Sequence, residues 1–143
     1  MDRIETIDGG EFRDCTGCVC AGLRRAARAV TRHYARHMRP TGLIGSQFST
    51  LVALSRLGAM PVSRLADQLA VERTTLTRNL KPLERKGLIT IGGDADGRVR
   101  FVEITAKGKA AARKALPAWR AAQASVGPKL KELRIAELLA RAA

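Results

Sequence analysis

The segment at residues 61–105 constrains the fold more than any other part of the chain. It contains two short amphipathic helical patterns, SRLADQLA and ERTTLTRNLKPLERKGL, with only Val71 between them. Leucines recur at helical spacing in the second pattern, at positions 76, 80 and 83, and Gly87 is typical of a residue just beyond a helix end. Two short helices joined by so tight a link indicate a helix-turn-helix.

A β-hairpin pattern follows the second of these helices. The runs LITI (88–91) and RVRFVEIT (98–105) are rich in β-branched residues, and GGDADG between them contains an Asp-Gly turn signal. The alternation leaves open which face of the second strand is buried, because Val99 and Phe101 share a face with Glu103. These patterns predict a winged helix-turn-helix in a mainly α (α+β) chain. The alternative is a small α+β domain whose charges only keep it in solution.

The charge of the chain restricts its partners. The formal net charge is +13 and the sequence pI is about 11.0, so the surface attracts polyanions, either nucleic acid or an anionic membrane. No run reaches the roughly 18 apolar residues of a membrane span. The N-terminal residues also lack the basic-then-apolar pattern of a secretory signal. We therefore expect a cytoplasmic protein without a membrane partner, whose thiols stay reduced.

Helical patterns flank the central segment on both sides. Residues 15–38 carry an apolar stripe with arginines nearly opposite, residues 46–57 form a second helix, and residues 106–123 and 126–143 form two more. Pro117 is expected to bend the helix over 106–123. The stripe of the first helix consists of Leu23, Ala27, Val30, Tyr34 and Met38.

We predict a single domain over residues 1–143. Its DNA-binding core is residues 46–105, with the wing at 88–104, and the N- and C-terminal helices at 14–39 and 106–141 form a dimerisation region. A homodimer is favoured because the first-helix stripe and the tail leucines exceed the apolar surface that a small winged domain needs. The alternative is that these helices cover only their own chain. The tail leucines are Leu130, Leu133, Leu138 and Leu139.

The outer face of the second short helix has the residue types that read DNA. Threonines near its N-terminus can bond base edges or phosphates, an arginine can bond guanine with two donors, and later basic residues suit phosphates. Arginines beside the hairpin turn suit a narrow minor groove. A solvated helix face and a hairpin with merely solubilising arginines are the alternatives. The predicted DNA-binding set is Thr74, Thr75, Thr77, Arg78, Lys81, Arg85, Arg98 and Arg100.

One residue of this helix conflicts with helix geometry. Pro82 lacks a backbone donor and crowds the carbonyl of Arg78, which costs about 3 kcal/mol if the helix has to stay straight. We expect a bend there, which would leave the first half of the helix free to enter a groove.

The same positions resemble the MarR family of bacterial transcription regulators. The family pattern has an "eLA..l" helix, then "sTvTR.l..LE..GLI", then "D.R…..LT..G". The resemblance implies a homodimer whose terminal helices interlock on a near-palindromic operator in double-stranded DNA. It also implies repression released by a small-molecule effector or by oxidation. The matching positions are Leu65, Ala66, 74–78, Leu83, Glu84, 87–89, Asp96, Arg98, Ile104, Thr105 and Gly108.

The stretch CTGCVC (15–20) contains all three cysteines. Structural zinc usually needs four ligands, so we expect no metal site, and Cys20 falls beside the apolar stripe, where a thiol packs as a small hydrophobe. Cys15 and Cys18 are a possible redox pair, because a helix start lowers a thiol pKa and a frayed first turn brings the two within bridging reach. Inert thiols are the alternative.

No enzyme signature stands out. His33 and His37 have a spacing that can chelate a metal, but they are about 20 Å along the helix from the thiols, so we expect them to face solvent or a partner. The chain lacks a GxxxxGKS loop and paired carboxylates, so we predict a non-enzyme without a cofactor.

The leading interpretation is a sequence-specific transcription regulator that acts as a repressor. The high charge keeps a non-specific, nucleoid-type DNA-binding protein open as the alternative. A membrane-surface or partner-binding module that uses the basic first helix is a third.

Overall fold

The computed structural model describes residues 10–93 and 95–131. A 3₁₀ helix precedes α1, a short second one follows it, and three strands are interspersed with the later helices. In chain order the elements are 3₁₀ Gly10–Gly17, α1 Val19–Met38, 3₁₀ Arg39–Thr41, α2 Gly45–Leu57, β1 Met60–Pro61, α3 Val62–Leu69, α4 Arg73–Arg85, β2 Ile89–Gly93, β3 Arg100–Ile104 and α5 Ala106–Lys131. This order confirms the predicted winged helix-turn-helix.

The sheet is antiparallel with the strand order β1-β3-β2. Met60 pairs with Val102, and Ile89 pairs with Ile104. The sequence predicts the hairpin but not β1, whose residues read as part of a link. A two-residue strand has no periodicity to detect, and Pro61 fits only because β1 is an edge strand.

The core lies between α2, α3, α4 and the sheet. The three leucines of the α4 stripe are fully buried, as predicted, and pack in one cluster with Leu51, Leu65 and Val102. Val102 is fully buried whereas Phe101 is 41% exposed. This settles the face of β3 that alternation leaves open, since Val102 and Ile104 point inward.

The first helix begins later than predicted. Residues 10–17 form a 3₁₀ helix, so Cys15 lies outside α1, and Cys18 occupies the N-cap position of α1. The predicted stripe is buried only at its C-terminal end, at Met38, because the described residues cover little of the N-terminal half. Val19 is 75% exposed and Leu23 is 58% exposed.

The last helix is longer than predicted. Residues 126–131 continue α5 instead of starting a new helix, and Pro117 and Pro128 both lie inside it. Each proline removes one backbone donor, but α5 packs against α1 and α2, and these contacts keep the helix continuous. The predicted tail residues Leu133, Leu138 and Leu139 lie outside the described residues. No helix within the described ranges has the length and apolarity that crossing a bilayer requires.

Candidate nucleic-acid interface

The outer face of α4 presents most of the predicted DNA-binding residues. Thr74, Thr75 and Arg78 are exposed, as are Lys81 and Arg85 further along the helix. Burial of the leucine stripe fixes this orientation, because the residues between the leucines at helical spacing must point away from the core.

Thr77 differs from the other two threonines. It is half-buried, and its hydroxyl donates a hydrogen bond to the carbonyl oxygen of Arg73 at 2.9 Å. Only the acceptor lone pairs of Thr77 remain for another group, whereas the exposed hydroxyls of Thr74 and Thr75 keep both functions.

The turn between α3 and α4 sets where the outer face of α4 begins. Ala70 adopts a left-handed backbone conformation (φ 51°, ψ 45°), and its N–H donates to the carbonyl of Asp67 at 3.1 Å. The next N–H, of Val71, donates to the carbonyl of Ala66 at 3.1 Å. These two bonds satisfy the end of α3 and turn the chain into α4 within three residues.

Two lysines and a glycine fix the far end of α4. Gly87 has φ 70°, and the following N–H, of Leu88, donates to the carbonyl of Leu83 at 2.9 Å. Lys86 Nζ donates to the carbonyl of Gly42 at 3.1 Å, and Lys107 Nζ donates to the carbonyl of Lys86 at 2.8 Å. Pro82 lies in the last turn of a helix that continues to Arg85, so α4 is not interrupted there.

The wing carries Arg98 and Arg100, and both side chains are exposed. Gly97 has φ 67°, a left-handed conformation that glycine adopts without strain, so the predicted Asp-Gly signal coincides with the turn. Val99 and Phe101 are 37% and 41% exposed beside these arginines.

A residue outside the predicted DNA-binding set joins the two parts of the interface. Arg73, the first residue of α4, lines a cavity of about 180 Å³ together with Arg98 and Arg100. A second cavity, of about 260 Å³, is lined by Arg73 and Arg100 and also by Thr77 and Lys81. The structure thus brings wing and helix residues together at Arg73. Its spacing of four and eight residues before Thr77 and Lys81 is the signal in the sequence that could have identified it.

The remaining predicted residues are not gathered in a cavity. Thr74, Thr75, Arg78 and Arg85 line neither of these two cavities and project from the exposed face of α4. Projecting side chains suit contact with a large surface or groove rather than enclosure of a small ligand.

All three cysteines are exposed. The described residues of the single chain therefore do not provide the predicted packing of Cys20. The N–H of Cys18 donates to the carbonyl of Cys15 at 3.2 Å, which closes an i to i+3 turn between the two predicted redox residues. Such turns keep the two Cα atoms within about 7 Å, close to the range of a disulfide.

The two histidines are predicted to face solvent or a partner, but His33 lies against α5 of its own chain, and the partner alternative stays a prediction. Both are half-buried on α1, their ring centroids are 4.6 Å apart, and His33 Nε2 lies 2.7 Å from Ser125 Oγ on α5. Tyr34 donates a hydrogen bond to the side-chain oxygen of Gln123, also on α5, and burial raises the pKa of the Tyr34 hydroxyl. Among the described residues no three histidine, cysteine or acidic side chains cluster as metal ligands would.

A larger cavity, of about 460 Å³, lies between α2 and α5. Its lining is mainly apolar and includes Phe48 and Trp119, whose ring centroids are 6.1 Å apart. Arg56 is the one charged residue that the described part of the chain contributes to this lining. An apolar lining with a single arginine suits a small apolar molecule that carries an anionic group.

Known proteins resemble this chain in both sequence and structure. The MarR family model matches residues 45–91. The HTH-type transcriptional regulator MhqR of Bacillus subtilis is 32% identical over 87 residues, a match that spans 60% of this chain and 60% of that protein.

Solved structures match over a greater length. The M. tuberculosis transcriptional regulator MOSR in complex with DNA is 44% identical, with a TM-score of 0.76, and the match covers 87% of this chain and 96% of that one. BpsR of Bordetella bronchiseptica has the same TM-score at 22% identity, over 88% and 93% of the two chains, which is evidence for the fold. The identity to the M. tuberculosis regulator over nearly its whole length, together with the family match across α2 to β2, shows that the chain belongs to the MarR family of DNA-binding transcription regulators, which are not enzymes.

Proposed function

We propose that the protein is a dimeric repressor that recognises a near-palindromic operator. The observation that carries this proposal is the burial of the α4 leucines, which leaves Thr74, Thr75 and Arg78 exposed next to the arginines of the wing. The 44% identical M. tuberculosis regulator was solved in complex with DNA, which supports double-stranded DNA as the partner.

The roles of the interface residues follow from their side chains. Thr74, Thr75 and Arg78 contact base edges in the major groove and set the sequence, with Arg78 giving two parallel hydrogen bonds to a guanine. Lys81 and Arg85 contact phosphates, which gives affinity that falls steeply with salt. Thr77 can only accept a hydrogen bond from the DNA, because its hydroxyl already donates to the carbonyl oxygen of Arg73. The wing arginines Arg98 and Arg100 lie at the adjacent minor groove.

A homodimer accounts for the uncovered half of α1. Residues 14–39 and 106–141 form the dimerisation region in this proposal, and residues 46–105, with the wing at 88–104, form the DNA-binding core. Large side chains such as Leu23 do not remain in water when a second copy can cover them. A two-fold dimer presents two α4 helices to half-sites about 34–36 Å apart.

Release from DNA has two structural candidates. The cavity of about 460 Å³ between α2 and α5 supports a small-molecule effector, and DNA binding by BpsR, which shares the fold, is regulated by 6-hydroxynicotinic acid. Arg56 favours an anionic effector in this chain. The turn that joins Cys15 and Cys18 supports the second candidate, release by thiol oxidation in the cytoplasm.

Arg78→Ala tests the assignment of sequence reading to α4. We expect operator binding to weaken by about 1–3 kcal/mol, with relaxed preference at one position in each half-site. The measurement is the affinity for the promoter beside the protein's own gene and for random DNA at about 0.15 M salt. Arg113→Ala, which changes an exposed arginine on α5, is the matched control.

Two outcomes would contradict the proposal. A uniform loss on all sequences would make Arg78 a phosphate contact. Equal affinity of the unchanged protein for promoter and random DNA would favour the non-specific binder that the +13 charge also permits.

A further inference from the structure

The cavity between the recognition helix and the wing has an unusual charge composition. It measures about 180 Å³ and is lined by Arg73, Arg98 and Arg100, by Ser63 from the start of α3, and by apolar residues. None of the described residues in its lining is acidic. The starts of α3 and α4 and the second half of the wing therefore contribute three arginines and one serine to the lining of the same cavity.

Like charges repel, so an anion in the cavity would lower the electrostatic energy of these arginines. The planar fork of N–H donors of a guanidinium matches two oxygens of a phosphate or a carboxylate, and a serine hydroxyl adds a neutral donor. All four polar side chains are exposed at the mouth, which leaves room for an anion that is part of a larger molecule.

The neighbouring cavity of about 260 Å³ helps to locate the anion. Arg73 and Arg100 line both cavities, but Glu84 lines only the larger one. A carboxylate raises the energy of an anion beside it, so the smaller cavity is the better anion site. Arg73 and Arg100 are the two arginines that line both cavities, whereas Arg98 lines only the smaller one.

We propose that this cavity holds one phosphodiester of the DNA backbone, bound by Arg73 and Arg100 with help from the hydroxyl of Ser63. The assignment rests on the proposed function and refines it. Arg100 then contacts the backbone that borders the minor groove, while Arg98, nearer the wing turn, is left for the groove itself. The bound phosphate joins the first turn of α4 to β3 and so sets the position of the wing relative to the recognition helix.

The first experiment measures the salt dependence of binding. Kd values for operator and random duplexes are determined between about 50 and 200 mM salt for the full-length protein, Arg73→Ala, Arg73→Lys and the control Arg113→Ala. Loss of one phosphate contact lowers the slope of log K against log salt by about 0.9. We expect that change and a roughly tenfold weakening for Arg73→Ala on both duplexes, with unchanged sequence preference.

The controls separate charge from geometry. Arg73→Lys keeps the charge but loses the fork, so its slope should equal that of the unchanged protein while its affinity is reduced. Arg113→Ala should leave both quantities unaltered. An unchanged slope for Arg73→Ala would overturn the proposal.

The second experiment identifies the phosphate. Duplexes in which single phosphates are replaced by uncharged methylphosphonates are bound to the unchanged protein and to Arg73→Ala. At one phosphate in each half-site the replacement should weaken the unchanged protein about tenfold and weaken Arg73→Ala by a smaller factor, because Arg100 and Ser63 still contact that phosphate. Equal losses for both proteins at every phosphate would refute a specific Arg73–phosphate contact.

A third measurement distinguishes a DNA phosphate from a free one. Inorganic phosphate is titrated against the protein without DNA and followed by ³¹P NMR. One outcome would overturn the assignment to DNA. Inorganic phosphate would bind saturably to the unchanged protein and not to Arg73→Ala, while every methylphosphonate would weaken the two proteins equally. The cavity would then hold a free anion. If the unchanged protein does not distinguish operator from random DNA, the proposed function fails. The difference between the two proteins at a single methylphosphonate still tests whether Arg73 contacts a phosphate.

Discussion

Replacing Gly108 with alanine tests how tightly α5 is joined to the wing. A Cβ atom at this position would lie 2.0 Å from the carbonyl oxygen of Leu88 and 2.8 Å from Cγ1 of Ile104. Real Cβ contacts are almost never shorter than 3.0 Å. The start of α5 must therefore move away from Leu88 by at least 3.0 − 2.0 = 1.0 Å.

The Leu88 carbonyl cannot move aside without losing other contacts. It accepts a hydrogen bond from the N–H of Thr105 at 3.0 Å, and the hydroxyl of Thr105 donates to the carbonyl of Gly87 at 2.7 Å. A shift of about 1.0 Å stretches both bonds beyond useful length.

The expected change in stability follows from three contributions. Two weakened hydrogen bonds contribute a loss of about 2 kcal/mol, and overpacking adds about 1–3 kcal/mol. Alanine in place of glycine inside a helix stabilises the folded state by about 1 kcal/mol, which offsets part of this loss. The net expectation for Gly108→Ala is a loss of about 2–4 kcal/mol, a large part of the total stability of a domain.

Urea unfolding at one fixed protein concentration measures this difference, because oligomerisation makes apparent stability depend on concentration. With m of about 2 kcal/mol/M in urea, the midpoint should fall by roughly 1–2 M. Gly22→Ala is the matched control, since no atom lies within 4 Å of its added Cβ and α1 should gain up to about 1 kcal/mol. If Gly108→Ala proves as stable as the unchanged protein, α5 and the wing do not make the close contact on which this reasoning depends.

Two further predictions concern the first helix and the residues before it. Leu23→Asp places a charge at a position that is 58% exposed in the single chain, and it should weaken self-association measured by analytical ultracentrifugation. The control Arg113→Asp should leave self-association unchanged. An unaltered dimer for Leu23→Asp would exclude Leu23 from the interface. Hydrogen peroxide should join the thiols of Cys15 and Cys18 in a disulfide, with release of two waters, and weaken operator binding. The double serine variant should keep full affinity under peroxide, and a loss as large as that of the unchanged protein would rule out this pair as the switch.

The sequence alone predicts the buried and exposed faces of a helix where one face is covered by the same chain. In α4 the leucine spacing identifies both the buried stripe and, by exclusion, the exposed Thr74 and Arg78. The helical spacing of the leucines and their burial agree in α4 because α2, α3 and the sheet all pack on its leucine face. The sheet is less accessible to prediction, since β1 has two residues and depends on its pairing with Val102.

Arg73 illustrates what a sequence pattern omits at a binding site. Its helical position can be calculated from Thr77 and Lys81, but its proximity to Arg98 and Arg100 depends on the return path of β3. Contacts between an element and a distant hairpin carry no local signature. Selecting single residues on one helix therefore misses the residue that the structure places between two elements.

The first helix raises a different problem, because periodicity identifies an apolar face but not the chain that covers it. Val19 and Leu23 lie on the half of the helix that the described residues of their own chain leave largely exposed. This half continues a helix of 20 residues whose C-terminal half packs on α5, but its apolar side chains lack a second surface among the described residues. A partner copy would supply it, and Cys15 and Cys18 immediately precede the same half of the helix. A disulfide there would tighten the turn at the start of α1, so oxidation would reach the DNA-binding helices through the dimer contact rather than through the DNA-binding core.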